Sequence, residues 1–457
     1  MPENDALYLL SANEVLSKIK SNEISVSKYI ESLIFRINEI DSKIHVWSNL
    51  NFERTLERAK KLDLLFHSDK KIGPLFGIPI GIKDIFNTVD FPTEMGSEVW
   101  KNFTPGNDAR VVYYLKMADA LIMGKTETAE FAVHALGKSK NPYDFKRSPG
   151  TSSSGSAIAV ATHMVPLSIG TQTAGSIIRP ASYCGVFGFK PSFGLLPRTG
   201  MLKTTDSLDQ IGFFARTPQD LQLLFDSIHV RGKNYPLSNS ALTNINRQTI
   251  SNRPWKIKFV KTHTWKNSEN YTKKLIETFI DKLSLHKEFE ISELELPSDF
   301  DFSHENHKII YTKSLSYYFK EELKQKTLIS DIFYDFATFS KNISINDFDE
   351  AISYQSKITN QLDQLFTNFD IILCLSTAGH APLRNEEEKD DPSLIWTMCG
   401  NPAINVPILS TEKGLPLGLQ IIARKYNDKL LLNFIKLLHK KNIISDAPAP
   451  TLTHLSN

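Results

Sequence analysis

Residues 147–191, RSPGTSSSGSAIAVATHMVPLSIGTQTAGSIIRPASYCGVFGFKP, constrain this chain most. Glycine and serine crowd positions 150–156 and return at Gly175-Ser176. A packed core has no need of so many hydroxyls and glycines in one place. Glycine lets backbone N–H groups approach a ligand, and serine supplies nucleophiles and proton relays. The segment reads as a site carried by a turn, a helix at 157–163 and strands at 165–169 and 186–189.

The flanking patterns place that site in an α/β chain. Residues 8–66 read as helices, with Ser11 and Glu14 spaced for a capping box and Ile30, Leu33, Ile34, Ile37 and Ile40 at helical intervals. Residues 75–86 form a short, nearly continuous apolar run, as a strand buried on both faces does. A helix and then a strand follow within 111–124. Thr217-Pro218-Gln219-Asp220 opens another helix with an N-cap, a proline at N1 and an acid at N3. Residues 370–375, 401–409 and 415–423 are strand-like again. Strands alternating with helices predict a layered α/β fold.

Residues 231–254 are polar and unpatterned and are expected to be a surface loop. Residues 255–365 are rich in Lys and Glu and aromatic at Tyr317, Tyr318, Phe319, Phe333, Tyr334, Phe336 and Phe339. They are expected to form a helical subdomain over the core. Its aromatics suit either the wall or lid of a pocket or a helix core.

Composition excludes several classes. A net charge of +2 argues against a dedicated nucleic-acid binder. Three cysteines, Cys184, Cys374 and Cys399, fit neither a zinc site nor a disulfide framework. The N-terminal residues show no secretory signal, and no run reaches the roughly 18 apolar residues of a membrane span. A cytoplasmic protein with buried free thiols is expected.

A serine hydroxyl is a weak nucleophile until a base takes its proton. The nearest approach to Gly-x-Ser-x-Gly, Gly150-Thr151-Ser152-Ser153-Ser154, fails at its last position. His134 and His163 lie near the serines in sequence, yet neither has an evident acidic partner. Lysine can replace histidine when burial keeps it neutral. Lys83 follows Ile78-Pro79-Ile80-Gly81-Ile82, an apolar approach for an amine. On its own it also reads as a strand-end lysine reaching to solvent.

These residues resemble the amidase-signature family of Ser-Ser-Lys hydrolases. The likeness rests on Gly77–Asp84, Gly124-Lys125-Thr126, Asn141-Pro142, Ser152-Ser153, Ser176, Ser207-Leu208-Asp209, Ala215-Arg216-Thr217 and Gly418-Leu419-Gln420, in the family's order from about residue 8 to 440. It implies a large mixed β-sheet between helical layers. It implies Ser176 as nucleophile, Ser152 on a cis peptide as proton carrier and Lys83 as base. Backbone N–H groups of Thr173, Ala174, Gly175 and Ser176 would form the oxyanion hole, with Ser153 and Thr171 in support. Arg179 would be a structural anchor. Gln172 and Ala174 depart from the commoner Asp and Gly, and Thr151 and Ser154 from glycines, which leaves the substrate open.

The expected protein is thus one amidase-signature domain over 1–443. It has N-terminal helices at 1–70, a variable loop and helical subdomain at 231–365, and a loose tail at 444–457. It would cleave a small-molecule carboxamide through an acyl-enzyme, with no metal or organic cofactor, no membrane and no direct nucleic-acid contact. Oligomeric state is open. The same resemblance admits the glutaminase (A-type) component of a tRNA-dependent amidotransferase, from which residues 171–179 differ more than from stand-alone amidases. It also admits a catalytically silent binding protein on the same fold.

Overall fold

The computed structural model describes residues 6–69, 71–250, 253–412 and 414–451, and among them eleven strands form one mixed sheet. In chain order they are β1 (Trp47–Leu50), β2 (Pro79–Lys83), β3 (Leu121–Thr126), β4 (Leu167–Gln172), β5 (Phe187–Lys190), β6 (Gln210–Ala215), β7 (Trp255–Val260), β8 (Phe289–Leu294), β9 (Ile371–Leu375), β10 (Ala403–Ser410) and β11 (Pro416–Ala423). Across the sheet the order is β1-β3-β2-β4-β6-β5-β10-β11-β9-β7-β8. β3, β2 and β4 are mutually parallel, as are β8, β7 and β9, and the other pairings are antiparallel. β2, β4, β5, β6, β9 and β11 are buried at every residue, so protein covers both faces of the sheet. Among the described residues no helix is long and apolar enough to cross a membrane. Cys184, Cys374 and Cys399 are free and buried.

Local chemistry explains most elements. Ser11 and Glu14 close their capping box on helix Ala12–Lys20, and Thr217 accepts the Asp220 N–H at the start of Pro218–Ile228. Three expectations are corrected. The 231–254 segment is not a plain loop, since it holds helices Pro236–Thr243 and Ile245–Gln248. The 255–365 segment is not wholly helical, since β7 and β8 extend the main sheet. The N-terminal helices are interrupted by edge strand β1. Part of the expected loose tail is tethered, with Ala447 N–H donating to the Arg216 carbonyl at 2.9 Å; residues 452–457 of that tail lie outside the described ones.

Topology brings the site together. β2 and β4 are parallel neighbours, with Ile80 opposite Leu167 and Ile82 opposite Ile169. Lys83 and Thr171, 88 residues apart, therefore leave the sheet at the same end. The wholly buried helix Ser154–Ala161 lies against that end. Its small residues permit the approach: a Cβ at Gly155 would stand 2.6 Å from the Glu127 N and O and 2.9 Å from the Val46 carbonyl oxygen. Backbone atoms cannot yield as a flexible side chain would. Gly155→Ala is expected to cost about 1–3 kcal/mol by overpacking. Chemical denaturation should show a lower midpoint; an unchanged midpoint would mean that the helix shifts freely.

Candidate active site

Lys83 is fully buried. Its Nζ lies 2.7 Å from Ser152 Oγ, 2.9 Å from Ser153 Oγ and 2.9 Å from Thr171 Oγ1. Burial holds its pKa well below the usual 10.5, against a smaller upward pull from Asp209. The adjoining strand supplies a contrast. Lys125 is equally buried, but its Nζ is 2.9 Å from Asp84 Oδ1 and also donates to Thr93 Oγ1 at 2.8 Å. Of two parallel buried lysines, one faces a carboxylate and the other faces hydroxyls.

The serines reach Lys83 from the turn before helix Ser154–Ala161. The Thr151–Ser152 peptide is cis. Its carbonyl, that of Thr151, accepts an Arg179 guanidinium N–H at 3.2 Å, and the Ser152 carbonyl of the next peptide accepts Thr128 Oγ1–H at 3.1 Å and Ala129 N–H at 3.2 Å. Ser153 has no freedom left. Its hydroxyl donates to the Thr171 carbonyl at 3.0 Å and accepts the Thr171 N–H at 3.2 Å.

Ser176 lies in β4's exit turn, is buried, and stands one residue before Ile177, the N-cap of helix Ile178–Cys184. Among the described residues, the N–H groups of Ala174, Gly175 and Ser176 donate no hydrogen bond within the protein. The carbonyls of the turn are taken instead. His307 Nε2–H donates to the Thr173 carbonyl at 2.8 Å, and Thr397 Oγ1–H donates to that of Ala174 at 2.6 Å. Gln172 braces the turn, since its Nε2 donates to Thr397 Oγ1 at 2.7 Å while its carbonyl accepts the N–H groups of Ile177 and Ile178. Thr173 Oγ1–H donates to Asp209 Oδ1 at 2.8 Å. Gly175 cannot be larger, because a Cβ would collide with the Asp391 carboxylate.

Sequence reasoning missed His307, Thr397, Asp209 and Asp391 as parts of this site. Arg179 is an anchor as expected: it bonds Glu388 at 3.0 Å, Asp391 at 3.1 Å and the Thr151 carbonyl at 3.2 Å. His163 is buried with both ring nitrogens unpartnered and a pKa lowered by burial to about 3. It stays apart from the cluster. Among the described residues no group of three or more His, Cys, Asp or Glu side chains is placed to hold a metal ion.

Comparisons with known proteins give the family and the fold. The family model described as Amidase matches residues 28–432. A similar curated chain is the glutamyl-tRNA(Gln) amidotransferase A-subunit of Streptomyces avermitilis, 30% identical over 94% of each chain. Among solved structures, the glutamyl-tRNA(Gln) amidotransferase A-subunit of Thermotoga maritima superposes at a TM-score of 0.80 with 25% identity, covering 97% of this chain and 98% of the other. The peptide amidase of Stenotrophomonas maltophilia superposes at a TM-score of 0.81 with 22% identity, covering 97% and 99%.

Proposed function

Because the chain belongs to the amidase (amidase-signature) family, we propose that it hydrolyses a carboxamide through an acyl-enzyme on Ser176. The observation that carries the reading is a buried amine surrounded by hydroxyls, with no carboxylate in ion-pair contact among the described residues. Desolvation keeps such an amine neutral. A neutral amine has two N–H bonds and one lone pair. Ser153 spends its proton on Thr171, so it can only accept from Lys83. The lone pair is left for Ser152, the nearest hydroxyl, or for Thr171.

In the proposed cycle, Ser152 passes its proton to Lys83 while taking that of Ser176. Ser176 Oγ bonds to the amide carbon, and the carbonyl oxygen becomes an oxyanion. The unengaged N–H groups of Ala174, Gly175 and Ser176, with that of Thr173, receive the charge. The proton returns through Ser152 to the amide nitrogen as the C–N bond breaks, and ammonia or an amine leaves. Water then gives a proton to the same relay and attacks the acyl carbon. The acid departs and Ser176 regains its proton. The first test is ammonia release by the purified chain, with labelling of Ser176 by a fluorophosphonate probe. Turnover without labelling at Ser176 would overturn the assignment, and neither result would leave the silent-fold reading.

The names of similar chains favour a second reading, a glutamine-hydrolysing component of an amidotransferase. In it the chain acts with partner subunits and glutamine is the amide. Glutamine turnover that rises sharply on adding a copurifying partner would support it. Efficient turnover of another amide by the isolated chain supports the first.

The braced turn carries its own prediction. A hydrogen bond to a peptide carbonyl polarises the N–H of the same peptide. Thr397 does this for the peptide whose N–H belongs to Gly175. Thr397→Val is expected to lower kcat about tenfold, the equivalent of one ordinary hydrogen bond, with KM little changed. Thr397→Ser should restore most of it. A loss seen only in KM would place Thr397 in substrate binding instead.

A further inference from the structure

Rings cluster beside the turn that carries Ser176. His307, bonded to the Thr173 carbonyl, lies 5.6 Å from Tyr311 at an interplanar angle of 67°. Tyr311 lies 5.3 Å from Phe336 at 71° and 6.5 Å from His134 at 66°. His134 closes the set, 4.9 Å from Phe336 at 79°. Each pair meets edge to face, the arrangement that ring quadrupoles favour. Behind them Phe131, Phe319 and Phe333 pack together and are buried.

His134 differs from its neighbours. Tyr311 and His307 are buried, whereas His134 is exposed. Yet it lies deep enough in the protein that burial lowers its pKa to about 4, and the charges that act on it are those of Arg179, His307 and Asp391. His134 is thus open to solvent on one side while it packs against Tyr311 and Phe336. The segment that carries it is fixed at both ends. Ala129 is bonded to the Ser152 carbonyl, and Arg384 donates to the carbonyls of Gly137 and Ser139, both at 2.8 Å.

The wall is uncharged at neutral pH. Burial lowers the His307 pKa to about 4 and raises that of Tyr311. The cation that acts on His134, Arg179, is already engaged by Glu388, Asp391 and Thr151. A substrate such as glutamine brings an ammonium and a carboxylate, and each needs a charged partner once desolvated. This wall offers a carboxylate no such partner. It offers ring faces and edges.

We infer that the acyl group of the substrate carries an aromatic ring, which packs on His134 and Phe336. The inference rests on the amidase reading of Ser176. For a primary amide the leaving group is ammonia and needs no wall, so the ring belongs to the acyl part.

The test compares kcat/KM for phenylacetamide, isobutyramide and glutamine. Phenylacetamide should lead by about tenfold or more. His134→Ala should cut that lead by about three- to tenfold, the worth of an edge-to-face contact. Calorimetric binding of phenylacetamide and isobutyramide to Ser176→Ala reads the pocket without turnover. There the aromatic amide should bind tighter, and the added His134→Ala change should narrow the gap. Turnover of isobutyramide or glutamine at least equal to that of phenylacetamide overturns the aromatic pocket and leaves the hydrolase. Aromatic-selective binding without turnover of any amide overturns the hydrolase and keeps the pocket. Absence of both overturns both.

Discussion

Ser176→Ala should lower amide turnover by about 10⁴-fold or more and abolish fluorophosphonate labelling, because the variant lacks the atom that bonds to the acyl carbon. Its fold should be unchanged. The Ser176 hydroxyl donates to no carbonyl and braces no turn among the described residues, and the turn is held by Gln172, His307 and Thr397 instead. The residual rate should stay above that of water, since Ala174 and Gly175 still offer their N–H groups to the oxyanion. Ser152→Ala is the instructive companion. It keeps the nucleophile and removes the carrier, so weak labelling of Ser176 should persist while turnover falls. Full activity in Ser176→Ala would mean that another hydroxyl attacks, and Ser152 would be the first to test.

How far these residues can be read from sequence depends on how each is held. Lys83, Ser152 and Ser176 sit in local patterns, an apolar run and two Gly/Ser turns, and a local pattern survives without any structure. β2 is visible for the same reason, as a continuous apolar run, whereas β4 carries apolar residues only at Leu167 and Ile169. His307, Thr397 and Asp391 act across 134, 223 and 212 residues. Each reaches the site across a long sequence gap, and no periodicity marks it. His307 lies on a helix, Ser303–Tyr318, whose polar and apolar residues are mixed around the axis. β7 escapes a sequence reading for a different reason. Lys256 and Lys258 alternate with Ile257 and Phe259, the period-two pattern of a strand with one open face. Composition, rich in lysine, points to solvated helix, and alternation is the better signal. Ser153 shows a limit of motifs: side by side with Ser152 in sequence, it differs in being tied by two bonds to Thr171, which sets it aside in the proposed relay.

Lys83→Met should lose about 10²–10⁴-fold of turnover, the range a positioned base supplies, and should still fold. Methionine keeps an apolar stem of similar length and removes the cost of burying an amine. Two pH dependences should separate the wild type from this variant. The first is catalytic. Burial places the Lys83 pKa well below 10.5. As pH falls through that depressed value the amine becomes an ammonium, its lone pair is gone, and Ser152 has nowhere to send a proton. Turnover therefore has an acidic limb that belongs to Lys83. The second is thermodynamic and has the same sign. Above 10.5 both the folded and unfolded chains hold the amine neutral. Between that value and the depressed one, the unfolded chain binds one more proton than the folded chain. Stability therefore declines as pH falls across this window and levels off below the folded pKa. Lys83→Met lacks the group, so this component should vanish from its stability–pH curve. Lys83→His should not rescue activity, because the shorter side chain does not place a nitrogen beside Ser152. If Lys83→Met turns over amides near the wild-type rate with the acidic limb unchanged, Lys83 is a buried strand-end lysine and another base serves Ser176. If activity is lost but the stability curve keeps its slope, Lys83 is charged in the folded protein, and the relay must run without a neutral amine.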